Sequence, residues 1–159
     1  MDVISAPGST LILVLRLVLA AALGAAIGLN RELRSKPAGL RTHALVALGS
    51  ALSAVIALLM TPAAFDEYNA ASRVIQGIVA GVGFIGGGVI LRRHDERGVE
   101  GLSTAASIWV VSAIGVATGF GLWRAAVTTV VLTLLILGLG RPVDRALRPF
   151  KEGQSSDER

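Results

Sequence analysis

Residues 77–90 read GIVAGVGFIGGGVI, and within them Gly81, Gly83 and Gly86 spell G-x-G-x-x-G. In an α/β domain that spacing turns a buried strand into a helix around a dinucleotide pyrophosphate. Here the stretch lies inside an apolar run from Val74 to Leu91, and the next apolar run opens at Leu102. That leaves no room for a βαβ unit. Glu100 lies at about the right distance for a ribose-binding acid, roughly 20 residues on, but in a short basic loop. No dinucleotide is expected. The glycines read instead as helix-packing residues of a membrane span. Gly77 with Gly81, and Gly83 with Gly87, stand four apart on one helix face, where small residues let a neighbouring backbone approach. Gly86, Gly87 and Gly88 either extend that packing or break the helix and free carbonyls toward a polar cavity.

Composition favours the same setting. Of 159 residues, 53% are hydrophobic and only 16% charged, against about 25% charged in a soluble domain; the mean hydropathy is +0.68. The net charge of +4 does not read as a nucleic-acid surface, because aromatics are 4% and the basic residues sit in short clusters between apolar runs. There is no cysteine, which excludes disulfides, thiolate metal sites and cysteine nucleophiles. His43 and His94 each stand beside a charged loop without a spaced partner and read as loop-edge residues, so no metal site and no cofactor are expected.

Five runs approach the ~20 apolar residues needed to cross a bilayer: 11–29, 44–60, 74–91, 102–120 and 125–140. The first is not a signal peptide, since residues 1–10 hold no Lys or Arg and Arg16 interrupts the apolar core. Arg16 is expected to snorkel to the nearby interface. The loops set the orientation. Residues 30–43, 92–101 and 141–159 carry twelve basic residues, whereas 61–73 and 121–124 carry only Arg73 and Arg124. The positive-inside rule then predicts an all-α polytopic membrane protein of five transmembrane helices, N-terminus outside and C-terminus cytoplasmic. Residues 1–10 are a short external segment, 11–140 the membrane domain, and 141–159 a basic tail expected to be disordered at its end.

Three stretches carry a resemblance: GLNRELRSKPAGLRTHALVALGSAL (28–52), RVIQGIVAGVGFIGGGVI (73–90) and GLSTAASIWVVSAIGVATG (101–119). In this order they resemble the MgtC/SapB family of bacterial inner-membrane proteins, over roughly residues 10–140. The resemblance implies four or five membrane helices and a link to magnesium homeostasis, growth and virulence at low magnesium. Some family members are described as magnesium transporters. The best-known members add a cytoplasmic regulatory domain, which is not expected within residues 141–159. Glu32, Gly39, Arg41 and Thr42 fall on family motif positions.

A hard dication prefers carboxylate, carbonyl and water oxygens, yet the second to fifth runs contain no Asp or Glu. Backbone carbonyls near Gly86–Gly88, with Gln76, Ser103, Thr104, Ser107 and Ser112, are the ligands left for a transporter. A regulatory or interaction protein is therefore favoured over a carrier. The 30–43 connector is its expected active surface. Pro37 and Gly39 mark a turn, Arg34 and Lys36 read as lipid anchors, and Glu32 is expected to pair with Arg41, Arg92 or Arg93. Thr104 and Ser103 open a helix and serve equally as N-caps. Trp109, mid-run, reads as a packing residue. No nucleophile stands beside a base, so no catalytic residue is assigned. The expected partners are the lipid bilayer and other membrane proteins, a homo-oligomer being compatible with the glycine face; nucleic acid is not among them.

Overall fold

The computed structural model describes the backbone of residues 7–60, 67–91, 94–95, 98–99 and 101–154, and side chains over 10–60, 69, 71–90 and 101–139. Five helices run in order: α1 Pro7–Glu32, α2 Leu40–Met60, α3 Glu67–Leu91, α4 Leu102–Gly119 and α5 Trp123–Gln154. A two-residue antiparallel ladder, β1 His94–Asp95 with β2 Gly98–Val99, joins α3 to α4. Four stretches are long and apolar enough to cross a membrane: Thr10–Glu32, Leu40–Met60, Ala71–Ile90 and Leu102–Gly119. The fifth apolar stretch, Trp123–Leu139, is shorter.

Apolar side chains cover the outside as well as the core, as lipid requires. Leu11, Leu15 and Val18 of α1, Phe84 of α3 and Leu132 and Ile136 of α5 are all exposed. Trp109 is also 48% exposed, so it faces outward and does not pack inside the protomer. The helices extend past the apolar runs because a run records where lipid ends, not where the backbone ladder ends. Hence α5 continues beyond Gly140 to Gln154, through much of the expected tail; residues 155–159 lie outside the described ones.

α2 and α4 form the centre. α2 packs most extensively on α1 and α4, and half of α4's span is buried against only 11% of α3's. Ile27 of α1, Ala47 of α2, Val111 and Ile114 of α4 and Ala126 and Val130 of α5 make the main core. A smaller cluster joins Ala38, Val82 and Ile108.

Glycine spacing explains how close the central helices come, but at other glycines than expected. A Cβ on Gly24 would lie 2.5 Å from the His43 carbonyl, and one on Gly28 2.7 Å from that of Gly39. Farther along α2, a Cβ on Gly119 would lie 2.5 Å from the Ala51 carbonyl, and one on Gly115 would strike that of Ala47. Gly24 with Gly28, and Gly115 with Gly119, are G-x-x-x-G pairs packed on α2, one from α1 and one from α4. In α3, a Cβ on Gly77, Gly81, Gly83, Gly87 or Gly88 would meet nothing within 4 Å. Only Gly86 of that group packs inside the protomer, with its Cβ position 3.4 Å from Ala105 Cβ. The close packing expected of the other five is not made within the chain. Nor do the three consecutive glycines break α3, which is helical from Glu67 to Leu91, so their carbonyls stay in the helical ladder.

Two helix ends show why the turns form. After α1, Lys36 N–H bonds the Arg31 carbonyl, Ser35 N–H bonds that of Glu32, and Ser35 is left-handed at φ 52°. After α4, Leu122 bonds Ala117 and Gly121 bonds Thr118, with Gly121 at φ 83°. Both are the paired six-to-one and five-to-two closure that satisfies terminal carbonyls. Arg16 completes the second. Its Nη1 donates to the Gly119 carbonyl at 2.9 Å, a cation at the negative end of α4. Its side chain thus reaches the end of the α4 span, at Gly119, instead of standing free.

A buried polar cluster at one end of the bundle

The end of α1, the start of α2 and the start of α4 meet around two side chains sequence reasoning had placed outside. Arg31 is 3% exposed and His43 is fully buried. Arg31 Nη2 donates to the Thr104 hydroxyl and, at 3.3 Å, to that of Ser103. His43 Nδ1 lies 2.9 Å from the Gly39 carbonyl and Nε2 lies 3.0 Å from the Ser107 hydroxyl. A carbonyl only accepts, so Nδ1 carries a proton. The Ser107 hydroxyl is also 2.8 Å from the Thr104 carbonyl. Its single proton thus serves either Nε2 of a neutral ring or Thr104 O beside a doubly protonated one. Among the described residues, two buried polar atoms have no partner, Asn30 Oδ1 and Arg31 Nε.

The connector is built around Glu32, whose Oε2 accepts the Leu40 N–H at 2.8 Å. An acid at the positive end of α2 is favourable, and this is the role that orientation alone did not explain. Gly39 is held by the same carboxylate: a Cβ there would lie 2.6 Å from Glu32 Oε2. Arg41 is exposed and forms no ion pair with Glu32 among the described residues; Arg92 and Arg93 lie outside them. Thr42 is half-buried beside His43. Arg34 is no free anchor, because its Nη1 donates to the Leu137 carbonyl of α5 at 2.8 Å. Lys36 is exposed, as an anchor would be.

The structure therefore gathers Glu32 and Gly39 at one edge of the cluster and Thr104 within it, and leaves Arg41 and Gln76 out. Gln76 sits on exposed α3, with its amide 3.1 Å from the Ser72 hydroxyl. Ser112 is buried but bonds the Trp109 carbonyl of its own helix. Arg31 and His43 were missed because each stands at the edge of a charged loop in sequence. His43 directly precedes the apolar run at Ala44, and only the structure shows α2 beginning at Leu40 with His43 a turn inside it.

A family model described as the MgtC family matches residues 17–146. The chain belongs to the MgtC family. It is 45% identical over 145 residues to Protein SrpB of Synechococcus elongatus, covering 86% of this chain and 80% of that one. It is 42% identical over 131 residues to the putative magnesium transporter YhiD of Escherichia coli K12, covering 78% of this chain and 58% of the relative. Protein MgtC of Salmonella typhimurium is 39% identical over 121 residues, or 76% and 49% of the two chains. The chain thus spans about half the length of YhiD and MgtC. No solved structure matches it. As an MgtC-family chain with these apolar helices, it is a multi-pass protein of the bacterial inner membrane, and the Arg31–His43 cluster lies inside the matched region.

Proposed function

We propose that this MgtC-family chain is a non-enzymatic regulatory or interaction protein serving adaptation to low magnesium, not a magnesium carrier. The observation that favours this is Arg31, a cation 3% exposed where three spans converge. A Mg²⁺ ion passing 6 Å away at an effective dielectric of 20 would be opposed by about 5 kcal/mol, enough to disfavour occupancy several-thousandfold. α3 offers no opened carbonyls to offset that charge, since its helix continues through Gly86–Gly88. The transporter reading draws its support from the relative YhiD, which is named as a putative magnesium transporter.

Flux measurement in liposomes loaded with a magnesium-sensitive dye, paired with growth at low magnesium of a strain lacking the protein, separates the two. Flux equal to protein-free liposomes is expected, together with restored growth when the chain is supplied. Saturable flux above the protein-free control overturns the regulatory reading.

The orientation belongs to the same proposal: five spans, N-terminus outside and tail in the cytoplasm. It is supported by the basic residues of alternate connections and by the meeting of Arg31, Leu40, Thr104 and Leu137 at one bundle end. Single cysteines at Ser5, Asn69 and Ser155 of this cysteine-free chain report it. An impermeant thiol reagent on intact cells is expected to label the first two and spare the third. Labelling at Ser155 reverses the orientation.

A further inference from the structure

α4 begins without a side-chain cap. Gly101 precedes it at φ 105°, its carbonyl accepts from Thr104 and Ala105, and no acid stands in the first turn. The Leu102 and Ser103 N–H groups have no partner among the described residues. They point out of the positive end of an 18-residue helix. Onto this end the fold places a second positive group. Arg31 grips the Ser103 and Thr104 hydroxyls with Nη2, so its guanidinium stands at the first turn of α4 with Nε unpartnered. A fixed cation at a helix N-terminus is electrostatically wrong-way round, and a buried charge lacking a counter-ion is costly. Glu32 is the one acidic side chain among the described residues, and it is engaged by the Leu40 N–H.

We infer that the α4 N-terminus with Arg31 is a binding site for a phosphate-class oxyanion. The Ser103 hydroxyl and the Leu102 and Ser103 N–H groups are donors to it, and the buried Arg31 guanidinium with its unpartnered Nε supplies the charge behind them. The hydroxyl and the paired N–H groups, backed by the guanidinium charge, match the several acceptor oxygens of a phosphate better than a halide. Ser103 is exposed while Arg31 is buried, so the anion is reached from the surface and neutralised from within. Two sources present this chemistry at a membrane face: the phosphate of an anionic lipid headgroup and free phosphate. The inference is independent of whether the chain regulates or carries.

The test is thermal unfolding of the full chain in two settings. In neutral detergent, sodium phosphate is titrated against sodium chloride of equal ionic strength. In nanodiscs, phosphatidylcholine alone is compared with phosphatidylcholine containing phosphatidylglycerol. The expected result is stabilisation by several degrees in at least one setting: by phosphate if free anion is the ligand, by phosphatidylglycerol alone if lipid is. Ser103→Asp places a carboxylate at the site and is expected to weaken the apparent affinity for the stabilising species at least tenfold. Arg31→Gln is expected to do the same if it folds; the exposed Ser103 position keeps the test decisive if it does not. No response beyond the chloride and phosphatidylcholine controls, or an equal response in wild type and Ser103→Asp, overturns the site.

Discussion

Gly115→Val and Gly24→Val are each expected to abolish a monodisperse, folded species, whereas Gly77→Val and Gly83→Val leave it intact. Even a methyl group at Gly24 would overlap the Ala47 side chain at 2.7 Å as well as the His43 carbonyl. At Gly115 it would meet Ser50 Cβ at 2.8 Å and the Ala47 backbone. The obstacles are backbone, which cannot swing aside, so α1 or α4 must move bodily away from α2. Overpacking a core by one or two methyl groups costs about 1–3 kcal/mol where side chains can yield, and here they cannot. The α3 positions face open space, and their replacements lose only the packing that another molecule would supply. Size-exclusion profiles and thermal midpoints of the four variants in one detergent decide the matter. Equal loss in α3 and central variants would mean that the central helices are less closely packed than described.

The second large effect is expected at His43. Replacing it with Phe retains a ring but removes the imidazole's bonds to the Ser107 hydroxyl and the Gly39 carbonyl, which keep only the Thr104 carbonyl and the His43 backbone N–H as partners. Each of the two lost hydrogen bonds contributes about 0.5–1.5 kcal/mol. With the misfit added, a loss of roughly 2–4 kcal/mol is expected, or about 5–15 °C in thermal midpoint for a chain of this size. His43→Phe combined with Ser107→Ala is expected to be less harmful than the sum of the single changes, because the two groups share one hydrogen bond. Strict additivity would show that the bond contributes nothing, and a midpoint within 2 °C of wild type would remove His43 from the framework altogether.

The spans were legible because lipid enforces long apolar runs; α2 and α4 begin within a few residues of where periodic apolarity starts. The packing rule was legible too, but not its address. G-x-x-x-G occurs in α1 at Gly24 and Gly28 and in α4 at Gly115 and Gly119, yet the denser glycines of α3 drew the eye. Which small-residue face meets a neighbour depends on how helices are arranged in space, and one helix's sequence does not hold that. α2 did offer a hint: Ala47 with Ala51, and Ser50 with Ala54, are small at the same spacing, and all four are buried. At the site, Glu32, Gly39 and Thr104 were singled out and do converge. Arg31 and His43 were not, because residues at the edge of a charged loop look solvated until a third helix is seen to cover them.

Arg16 and Arg31 lie on one helix and hold opposite ends of another: the Gly119 carbonyl and the Thr104 hydroxyl. Fifteen residues of α1 separate them, a rise of about 22 Å. α1 therefore acts on α4 as a caliper with two jaws. If α1 slid along α4 by a single turn, both jaws would open together, and one of the two guanidiniums would be carried toward the hydrocarbon. Any slide therefore disturbs both contacts at once, which ties the register of these two helices to hydrogen bonds at both ends. Because α2 packs against both, the three helices form one frame, with α3 and α5 held at its margin.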